Sequence, residues 1–505
     1  MKEFKLYKNT YIDSVTLMSA TSRLKSSVQP NELVMLMATT MNVELIRSVG
    51  FDHPDLATAN PGDLVIALDH DQEDSLLDDI FNQLTNPVGA TASKETTYKR
   101  IEEVGDTYNM AVISVAGQYA AYEAQKALDQ GLHVMMFSDN VSIEDEIRLK
   151  TYAISKQLLM MGPDCGTAII NGVGLCFANQ VRKGPISLVA ASGTGLQEVT
   201  VLIDQLGGGI RQAIGVGGRD LSESVGGLMM NASLNAILQD QESKIVVVIS
   251  KPPSPSVETL ILSTLKAMGK PVVVCFLDSD KTGREDNLHF VQTLSEAALK
   301  AVELQGLKLQ DINQMDAQDE QWVRQQRTSF CQTNGYLRGL YCGGTLTAES
   351  LSLLRYKLSG LTSNVAKKDK EKMPDPLQSQ GHCLVDLGDD VFTDGRPHPM
   401  IEPTIRLDRI LLEANDSNTQ VILLDFELGY GSHEDPVGIT LPAIRSAQTI
   451  AKQQGRHLAF VGYVLGTQAD KQQKSTAEEQ LRQAGVYVAR TNTHAANLCA
   501  AIWEG

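Results

Sequence analysis

Two short motifs hold the residue types that could bind an anion. Each reads Gly-Thr-x-x-x-Glu, the first at 193–198 and the second at 344–349. Each follows a strand-like apolar run and opens an apolar helical pattern. Glycines let a backbone turn tightly and approach a ligand, and a helix start presents unpaired N–H groups and the positive end of a dipole. The motifs therefore predict a duplicated domain with two helix starts directed at one anion.

The anion is predicted to be a phosphate or a carboxylate. Arg219 and Lys251 follow neighbouring strands and could pair with it, and the alternative for each is a turn with a solvated charge. Thr194 also fits a capping pattern with Gln197, so a purely structural N-cap is its alternative. The candidate phosphate- or substrate-binding residues at these turns are Ser192, Gly193, Thr194, Gly217, Gly218, Arg219, Lys251, Gly343, Gly344 and Thr345.

Carboxylates and histidines are the candidate catalytic groups. Glu198 and Glu349 end the two motifs, where they could act in catalysis or only compensate the helix dipole. His398 and His433 follow strands of the last third and could serve as general acid or base, because histidine titrates near neutrality. Arg396, in the same region, could clamp a carboxylate with two hydrogen bonds. Polar loops with surface histidines are the alternative.

No metal site is predicted, and the cysteines indicate reduced thiols. The seven cysteines are scattered and contain no C-x-x-C pair, and Cys165 is predicted to be structural. A divalent cation is conceivable near the last two strand ends, but no ligand spacing demands one. The donors considered for it are Asp389, Asp390, His433 and Glu434.

Length and charge limit the class of protein. A chain of 505 residues has room for three or four domains. The 44 basic and 61 acidic residues give a net charge of −17, which disfavours nucleic acids and acidic membranes as partners. No stretch approaches the roughly 18 apolar residues of a membrane span, and the first residues begin no apolar signal, so a cytoplasmic location is expected.

Short buried runs alternating with helical patterns predict an α/β fold with parallel sheets. The predicted order is an N-terminal α/β region, a Rossmann-like unit, a flavodoxin-like domain, a linker and a second flavodoxin-like domain. Their predicted bounds are 1–105, 106–184, 185–306, 307–334 and 335–505. The predicted N-terminal strands are 4–7, 33–37 and 63–68, with helices at 14–25, 41–49 and 73–84 and a charged connector at 96–106. The predicted flavodoxin-like strands are 186–191, 210–216, 244–250 and 271–277, then 336–342, 383–387, 420–426 and 458–465. The insert 361–381 is predicted to be a solvated loop, and a final helix is predicted at 494–503.

These segments resemble two halves of a known ligase. The turn Gly162-Pro163-Asp164-Cys165 resembles the Gly-Pro-Asn-Cys turn of the succinyl-CoA synthetase α subunit, where 192–194, 217–218 and 270–273 also have counterparts. The last third resembles the C-terminal domain of the β subunit, through 343–345, 385–388, 424–426 and 464–466. That order, preceded by the segment 9–15, resembles the FdrA family over essentially the whole chain.

The resemblance implies roles for matching residues. It implies that the two helix starts converge on one phosphate, and that Glu198 and Glu349, as first-turn carboxylates, orient a phosphorylated histidine. It also implies a CoA-binding-like character for 106–184. The Gly-His-Ala-Gly-Ala loop of the ligases is replaced here by 287–292, so His289 is expected on an ordinary helix. The ATP-grasp domain and the Gly-rich turn of the CoA-binding domain have no counterpart, so CoA is a doubtful substrate.

The predicted function is therefore transfer of an acyl group to or from phosphate. The FdrA resemblance implies a subunit of an oxamate carbamoyltransferase of allantoin breakdown, which exchanges oxalurate and phosphate for oxamate and carbamoyl phosphate with partner subunits in an oligomer. One alternative is a subunit of an NDP-forming acyl-CoA synthetase. The other is a non-catalytic subunit that senses an anion.

Overall fold

The computed structural model describes residues 1–10, 12, 17, 20–21, 24, 30–71, 75–85, 98, 100–105, 107–309, 311–330, 335–393 and 396–504. Within these, the chain divides into two compact units. The first comprises Met1–Thr97 with the short segment Thr393–Pro397, and the second comprises Tyr98–Phe392 with His398–Gly505. None of the helices in the described ranges has the length and apolar character that crossing a bilayer requires.

The N-terminal unit is built on a three-stranded antiparallel sheet of order β1-β3-β2. The central strand β3 is almost wholly buried because both neighbours pair with it along its full length. The predicted strands are confirmed, as is the helix at 41–49. The predicted helix at 73–84 begins later, at Leu77, and most of the predicted helix at 14–25 and of the connector at 96–106 lies outside the described residues. The elements are β1 (Lys2–Tyr7), β2 (Glu32–Met37), α1 (Thr40–Ser48), β3 (Leu64–Asp69) and α2 (Leu77–Thr85).

The second unit begins with the predicted βαβ pattern. Its three strands form a small sheet of order β4-β5-β6 that is parallel throughout. Small residues on one side of α3, among them Ala120, Ala124 and Ala127, are fully buried and let this helix pack closely on the sheet. The elements are β4 (Met110–Ile113), α3 (Gly117–Asp129), β5 (His133–Met136), α4 (Ile143–Ser155) and β6 (Met160–Met161).

The middle sheet has eight strands in the order β13-β14-β12-β11-β9-β10-β7-β8. Five of them, β10-β9-β11-β12-β14, are parallel neighbours. Counted along the chain this is the order 2-1-3-4-5 of the flavodoxin-like fold, as predicted. His289 lies on strand β14 and not on a helix, so that prediction is wrong: the run 288–291 alternates buried and half-buried residues as an outer strand does. The elements are β7 (Thr167–Ile170), β8 (Val173–Cys176), β9 (Lys183–Ala190), α5 (Gly193–Gln205), β10 (Ile210–Gly215), α6 (Leu228–Gln239), β11 (Ile245–Ser250), α7 (Pro255–Ala267), β12 (Val272–Phe276), β13 (Gly283–Glu285), β14 (Leu288–Val291) and α8 (Leu294–Leu304).

The third sheet has six parallel strands in the order β16-β17-β15-β18-β19-β20, which again contains the order 2-1-3-4-5. The predicted linker contains helix α9. The insert 361–381 is not simply solvated: it adds the edge strand β16, and Leu361, Ala366 and Met373 are buried. The elements are α9 (Ala317–Ser329), β15 (Tyr336–Tyr341), α10 (Gly344–Leu354), β16 (Thr362–Ser363), β17 (Cys383–Asp386), α11 (Asp390–Thr393), α12 (Thr404–Asn415), β18 (Thr419–Glu427), α13 (Pro436–Gln453), β19 (Ala459–Leu465), α14 (Lys474–Gln483), β20 (Tyr487–Ala489) and α15 (Asn492–Trp503).

One hydrophobic cluster joins the middle and third sheets. It contains residues of α5, α8, α10 and α15 together with inward-facing residues of both sheets. Burial of this shared apolar surface is the main force that holds the two sheets together. The helices that start at the two Gly-Thr motifs, α5 and α10, therefore lie inside the shared core.

Candidate functional site

Both Gly-Thr motifs lie at the switch point of a flavodoxin-like sheet. Helix α5 follows β9, and α10 follows β15. Strand β9 pairs with β10 on one side and with β11 on the other, and β15 pairs likewise with β17 on one side and with β18 on the other. Ligands of open α/β sheets bind beyond the carboxyl ends of the strands at such a point. The neighbouring strand ends there are those of β11, which Lys251 follows, and β18, which ends at Glu427.

The two helix starts meet. Ser192 Oγ lies 2.6 Å from Thr345 Oγ1, and the backbone N–H of Thr345 points to Thr194 Oγ1 at 3.4 Å. A Cβ on Gly195 would lie 3.0 Å from Thr345 Cγ2, so the glycine permits this close approach. Side chains from two sheets thus form one cluster at the joint between the domains.

The first helix start keeps donors for a ligand. Its N-cap is Ser192, whose Oγ accepts the N–H of Gly195 at 3.0 Å, so the structural alternative for Thr194, an N-cap paired with Gln197, is wrong. The backbone N–H groups of Gly193 and Thr194 donate to no acceptor within the described part of the chain. Both residues are half-buried and thus accessible.

A buried hydroxyl also faces the first helix start. Thr167 Oγ1 lies 3.8 Å from the Cβ position of Gly193 and is 1% exposed. It makes no hydrogen bond with any described residue. A buried hydroxyl without a partner costs free energy, so this one is poised to donate to a bound ligand.

The second helix start is held by a carboxylate from a neighbouring strand. Asp425 accepts the N–H of Cys342 at 2.8 Å and that of Gly343 at 2.9 Å, and it pairs with the buried Arg406 at 3.2 Å. The N–H groups of Gly344 and Leu346 receive no acceptor from the described residues. This start therefore also keeps free donors, at Gly344 in a half-buried position.

Further carboxyl groups surround the two starts. A Cβ on Gly344 would clash with Asp386 Oδ2, so that carboxyl lies directly against the second helix start. Burial raises the pKa of Asp386 to about 7. Desolvation, together with the charges of Asp139 and Asp390, raises the pKa of Asp164 to about 6. At pH 7 Asp386 is therefore about half-charged, which reduces its repulsion of an anion, whereas Asp164 is mostly charged.

Lys251 is the cation of this cluster. Its positive charge acts on both Asp164 and Asp386. It is half-buried, and its ammonium makes no hydrogen bond or ion pair with a described residue. Among the basic residues predicted for the site, it is therefore the one available to a ligand.

Glu198 and Glu349 lie behind the helix starts. Both helices lack acidic residues in their first turn, so the prediction of first-turn carboxylates is wrong: each glutamate is the sixth residue of its helix. Glu349 accepts the N–H of Leu294 and the amide of Asn492, both at 2.7 Å. Glu198 accepts Tyr463 Oη at 2.5 Å, its other oxygen has no partner among described residues, and burial raises its pKa to about 8.

The glycine turn after β10 lies beside the same cluster. A Cβ on Gly217 would clash with the carbonyl of Pro163, and one on Gly218 would lie 3.7 Å from Asp164 Oδ2. Arg219, however, is already used: it donates to Val141 O at 2.8 Å and pairs with Glu146 at 2.9 Å.

Behind this turn lies a buried ionic network. Lys150 is fully buried and donates to Glu146 and Asp220 at 2.7 Å and to Val216 O at 3.0 Å. Asp220 in turn accepts the N–H groups of Met229 and Met230 at the start of α6. The network fixes the glycine turn to helix α4, which carries Glu146 and Lys150.

The remaining candidates differ in position. His398 packs over the turn before α10, since a Cβ on Gly388 would meet both its Nε2 and the carbonyl of Cys342. Its Nδ1 accepts the N–H of Met400 at 3.2 Å, and burial lowers its pKa to about 4, so it is a neutral ring. His433 Nδ1 accepts the N–H of Asp435 at 3.0 Å, which ties it to the start of α13. Arg396 is exposed and belongs to the short segment grouped with the N-terminal unit.

The metal donors considered from the sequence do not come together. Glu434 pairs with Lys471 at 2.9 Å. Across the described ranges, one group of three possible metal-binding side chains is found, formed by Cys342, Asp425 and Glu427. Arg406 pairs with Asp425 within this group, which disfavours a cation there.

The cysteines behave as predicted where the structure describes them. The six described cysteines are free thiols. Cys165 is buried, and burial raises its pKa to about 12, as expected for a structural residue.

Sequence reasoning missed Asp425, Glu427, Thr167 and Lys150. The first two occupy the end of β18 within the segment 425–436, which was singled out for its histidines. Asp425 accepts a hydrogen bond from Gly343 at the second helix start, but the two residues are 82 positions apart. A contact between such distant residues leaves no pattern in the local sequence. Thr167 and Lys150 also meet groups that are distant in sequence: Thr167 lies near Gly193, and Lys150 donates to Val216 O and Asp220.

Comparison with known proteins places the chain in a family. It is 44% identical to the uncharacterized protein YahF of Escherichia coli over 495 residues, which cover 96% of this chain and 95% of that protein. The chain belongs to the YahF family. It is also 27% identical to the α subunit of the ADP-forming succinate–CoA ligase of Staphylococcus epidermidis, over 35% of this chain and 59% of that subunit.

Three families of domains match parts of the chain. The CoA-ligase family matches residues 340–502, and the CoA binding domain matches 181–277. The third and middle sheets are therefore of the succinyl-CoA synthetase-like CoA-ligase type. Both descriptions point to coenzyme A, which the sequence alone left doubtful. Acetyl-coenzyme A synthetase 1 of Ca. Korarchaeum cryptofilum, solved with phosphate and ADP, aligns over 83% of this chain and 87% of its own, with a TM-score of 0.32 and 14% identity.

The N-terminal residues 1–104 match the AllF heavy metal-associated domain. This segment contains no cysteine. Its described residues also gather no group of three histidine, cysteine or carboxylate donors. The donor set does not fit a soft heavy metal, which thiolates bind best.

Proposed function

We propose that this chain is a CoA-ligase-type enzyme that binds an acyl phosphate, or the phosphate it releases, between its paired helix starts. The contact of 2.6 Å between Ser192 Oγ and Thr345 Oγ1 carries the proposal. It joins two positive helix ends, each at the switch point of its own sheet, in one place. A dianion bound there interacts with both dipoles at once.

The free donors at this place match a phosphate. The helix starts offer the N–H groups of Gly193, Thr194 and Gly344, and Thr194 and Thr167 supply hydroxyls. Lys251 provides a positive charge. Backbone N–H groups fixed in a helix bind phosphate oxygens without needing to reorganise, and they stabilise charge that develops on the phosphate as it leaves.

The supported reaction is transfer between phosphate and coenzyme A. The thiol of coenzyme A attacks the acyl carbon, the C–S bond forms, the C–O bond to phosphate breaks, and the thiol proton passes to phosphate. The matches to CoA-ligase and CoA-binding domains favour this acceptor. The residues present fit the displaced phosphate, since the unpartnered Thr167 hydroxyl and the free N–H groups can hold it.

Carbamoyl transfer from carbamoyl phosphate to oxamate is the second candidate. One observation favours a ready-made acyl phosphate: His289, the histidine in the segment that replaces the ligases' Gly-His-Ala-Gly-Ala loop, lies on the strand β14. Its backbone pairs with Val273 on one side and Arg284 on the other. Membership of the FdrA family and a need for partner subunits belong to this proposal.

Isothermal titration tests the proposal with phosphate, acetyl phosphate, carbamoyl phosphate, coenzyme A and ATP as ligands. We expect phosphate and an acyl phosphate to bind the wild-type chain, and the Thr194→Ala, Thr345→Ala double variant to lose at least tenfold in affinity. The matched control is Thr200→Ala. Thr200 lies on the same helix α5 but donates to Gln197 O at 2.9 Å, so this variant should bind like the wild type.

Two results would count against the proposal. Clear ATP binding without phosphate binding would indicate a nucleotide site in place of a phosphate cradle. Unchanged phosphate affinity in the double variant would place the anion elsewhere. Coenzyme A binding without oxamate binding would favour the ligase, and the reverse would favour the carbamoyltransferase.

A further inference from the structure

The insert 361–381, which adds the edge strand β16, also links the carboxyl ends of the middle and third sheets. Asn364 exchanges two hydrogen bonds of 2.9 Å with the backbone of Asp386, whose carboxyl lies against the second helix start. Four residues farther on, the ammonium of Lys368 lies 3.7 Å from the carboxylate of Asp278, which follows β12 of the middle sheet. This part of the insert therefore runs from the second helix start to the end of β12.

Further ion pairs hold the insert in this position. Arg355, the residue after helix α10, pairs with Asp278 and, at 3.1 Å, with Glu371 of the insert. The side chains of Arg355 and Glu371 are buried, so this pair is shielded from water. Asp278 thus interacts with two cations, Arg355 and Lys368, and its charge is already compensated.

Lys367 lies between these contacts and has no partner of its own. Its ammonium makes no hydrogen bond or ion pair with any residue that the structure describes. The side chain is exposed to solvent, yet desolvation by the surrounding protein is the main cause that lowers its pKa. An exposed group is desolvated in this way when it lines a cleft, so a ligand can reach Lys367.

Lys251 reaches the same place from the middle sheet. In the pairing of β11 with β9, Ile249 lies opposite Ala190. Two residues farther along, Lys251 comes level with Ser192, the N-cap of α5, and adjacent strands are about 4.8 Å apart. The charge of Lys251 also acts on Asp386, which lies beside the second helix start. Lys251 is therefore close to both helix starts.

The two lysines face each other across the joint between the domains. The charged groups that face Lys367 are Lys251 and Asp278, and Asp278 is already paired. Among the described residues, no carboxylate lies within ion-pair distance of either ammonium. Each ammonium thus keeps its N–H donors for a ligand. Like charges held near each other repel, and an anion bound to both removes this cost.

We propose that Lys367 binds, together with Lys251, the phosphoryl group held at the paired helix starts. The proposal rests on the proposed function and adds to it a binding residue from the insert. Each domain then supplies one helix start and one lysine. A dianion such as a phosphoryl group interacts with both ammonium groups at once, whereas a carboxylate carries a single charge to share between them.

Sulfate is the suitable probe, because it remains a dianion near neutral pH. Calorimetric titration at constant ionic strength compares the wild-type chain with Lys367→Gln. We expect this variant to lose at least about fivefold in sulfate affinity, as for a charge interaction in a cleft open to solvent. Lys370→Gln is the matched control: it removes the same charge from an exposed position of the same insert, and its affinity should stay within about twofold of the wild type.

Failure of this proposal can be told apart from failure of the proposed function. Equal losses in Lys367→Gln and Lys370→Gln would show that the anion feels only the overall charge of the insert, and they would overturn the proposal. Sulfate binding that is weakened in the Thr194→Ala, Thr345→Ala double variant but unchanged in Lys367→Gln would overturn this proposal alone. A wild-type chain that binds neither sulfate nor phosphate would refute the proposed function itself.

Acetylation of the wild-type chain by acetic anhydride, read by tandem mass spectrometry, gives a second test that needs no variant. We expect saturating sulfate to slow the acetylation of Lys367 at least about threefold, relative to chloride at the same ionic strength, and to leave that of Lys370 unchanged. Acetylation of Lys367 at the same rate in both salts would contradict the proposal.

Discussion

Replacing Asp386 by asparagine should stabilise the chain, by an amount that depends on pH. The pKa of this buried carboxyl is about 7, against an ordinary value of 3.8. Between these values the unfolded chain releases its proton while the folded chain keeps it, so the free energy of unfolding falls as pH rises. The difference of about 3 pKa units corresponds to about 4 kcal/mol as an upper limit. Asparagine retains an acceptor for the N–H of Gly388, which now binds Asp386 Oδ1 at 2.9 Å.

Urea unfolding followed by tryptophan fluorescence measures this effect. The chain has two tryptophans. When Trp322 is replaced by Phe in every variant, the remaining Trp503 donates a hydrogen bond to Gly335 O and its fluorescence reports on the third sheet. We expect Asp386→Asn to match its parent at pH 4, and its stability advantage to rise to a plateau of up to about 4 kcal/mol above pH 7. The control Asp408→Asn removes an exposed aspartate of α12 and should change little with pH. An Asp386→Asn effect that is the same at pH 4.5 and pH 8 would show that Asp386 is ionised in the folded chain.

Three further outcomes follow from buried groups. Lys150→Met should cost about 3–5 kcal/mol in urea unfolding, because it leaves Glu146 and Asp220 buried without their cation, whereas exposed Lys156→Met should cost little. Cys165 should resist iodoacetamide at pH 8, as read by mass spectrometry, since a pKa of about 12 leaves roughly 10⁻⁴ as thiolate; labelling at the rate of a free thiol would contradict this. Burial alone would raise the pKa of Asp319, but hydrogen bonds from Tyr487 and other groups lower it to about 2. Asp319→Asn should therefore lower the free energy of unfolding by about 2 kcal/mol at pH 7, and by less as pH falls from 4 to 2.

Much of the fold could be predicted because most of the parallel strands show a recognisable pattern in their own local sequence. Runs such as 245–250 are apolar at every position and lie between helical patterns, which is typical of a strand buried on both faces. The strand that contains His289 was not predicted because it has only four residues and lies near the sheet edge, where two of the four are only half-buried. The prediction of a solvated loop at 361–381 was wrong because it was based on the charged residues of this insert. Three apolar residues among them are buried and stabilise an edge strand.

The sequence predicted the backbone part of the site, namely the two helix starts, but not most of the side chains around them. Glycine-rich turns that open helices indicate donors, and both helix starts are where the motifs place them. The side chains that complete each start come from elsewhere: Asp425 from another strand, Thr167 from the hairpin at the sheet edge and Ser192 from two residues before Thr194, the cap considered from the sequence. Such contacts depend on tertiary packing, and no spacing in one sequence encodes them.

The contact between the helix starts makes each domain necessary for the other's site. The N–H of Thr345 is directed at Thr194, and Ser192 Oγ shares a hydrogen bond with Thr345 Oγ1. If the sheets moved apart by a few ångströms, these hydroxyls would turn to water or to their own helices, and an anion would feel one dipole in place of two. The apolar cluster shared by α5, α8, α10 and α15 holds the sheets at this distance. Fusing both domains in one chain with a common core thus preorganises a phosphate cradle that separate domains would have to assemble on each encounter.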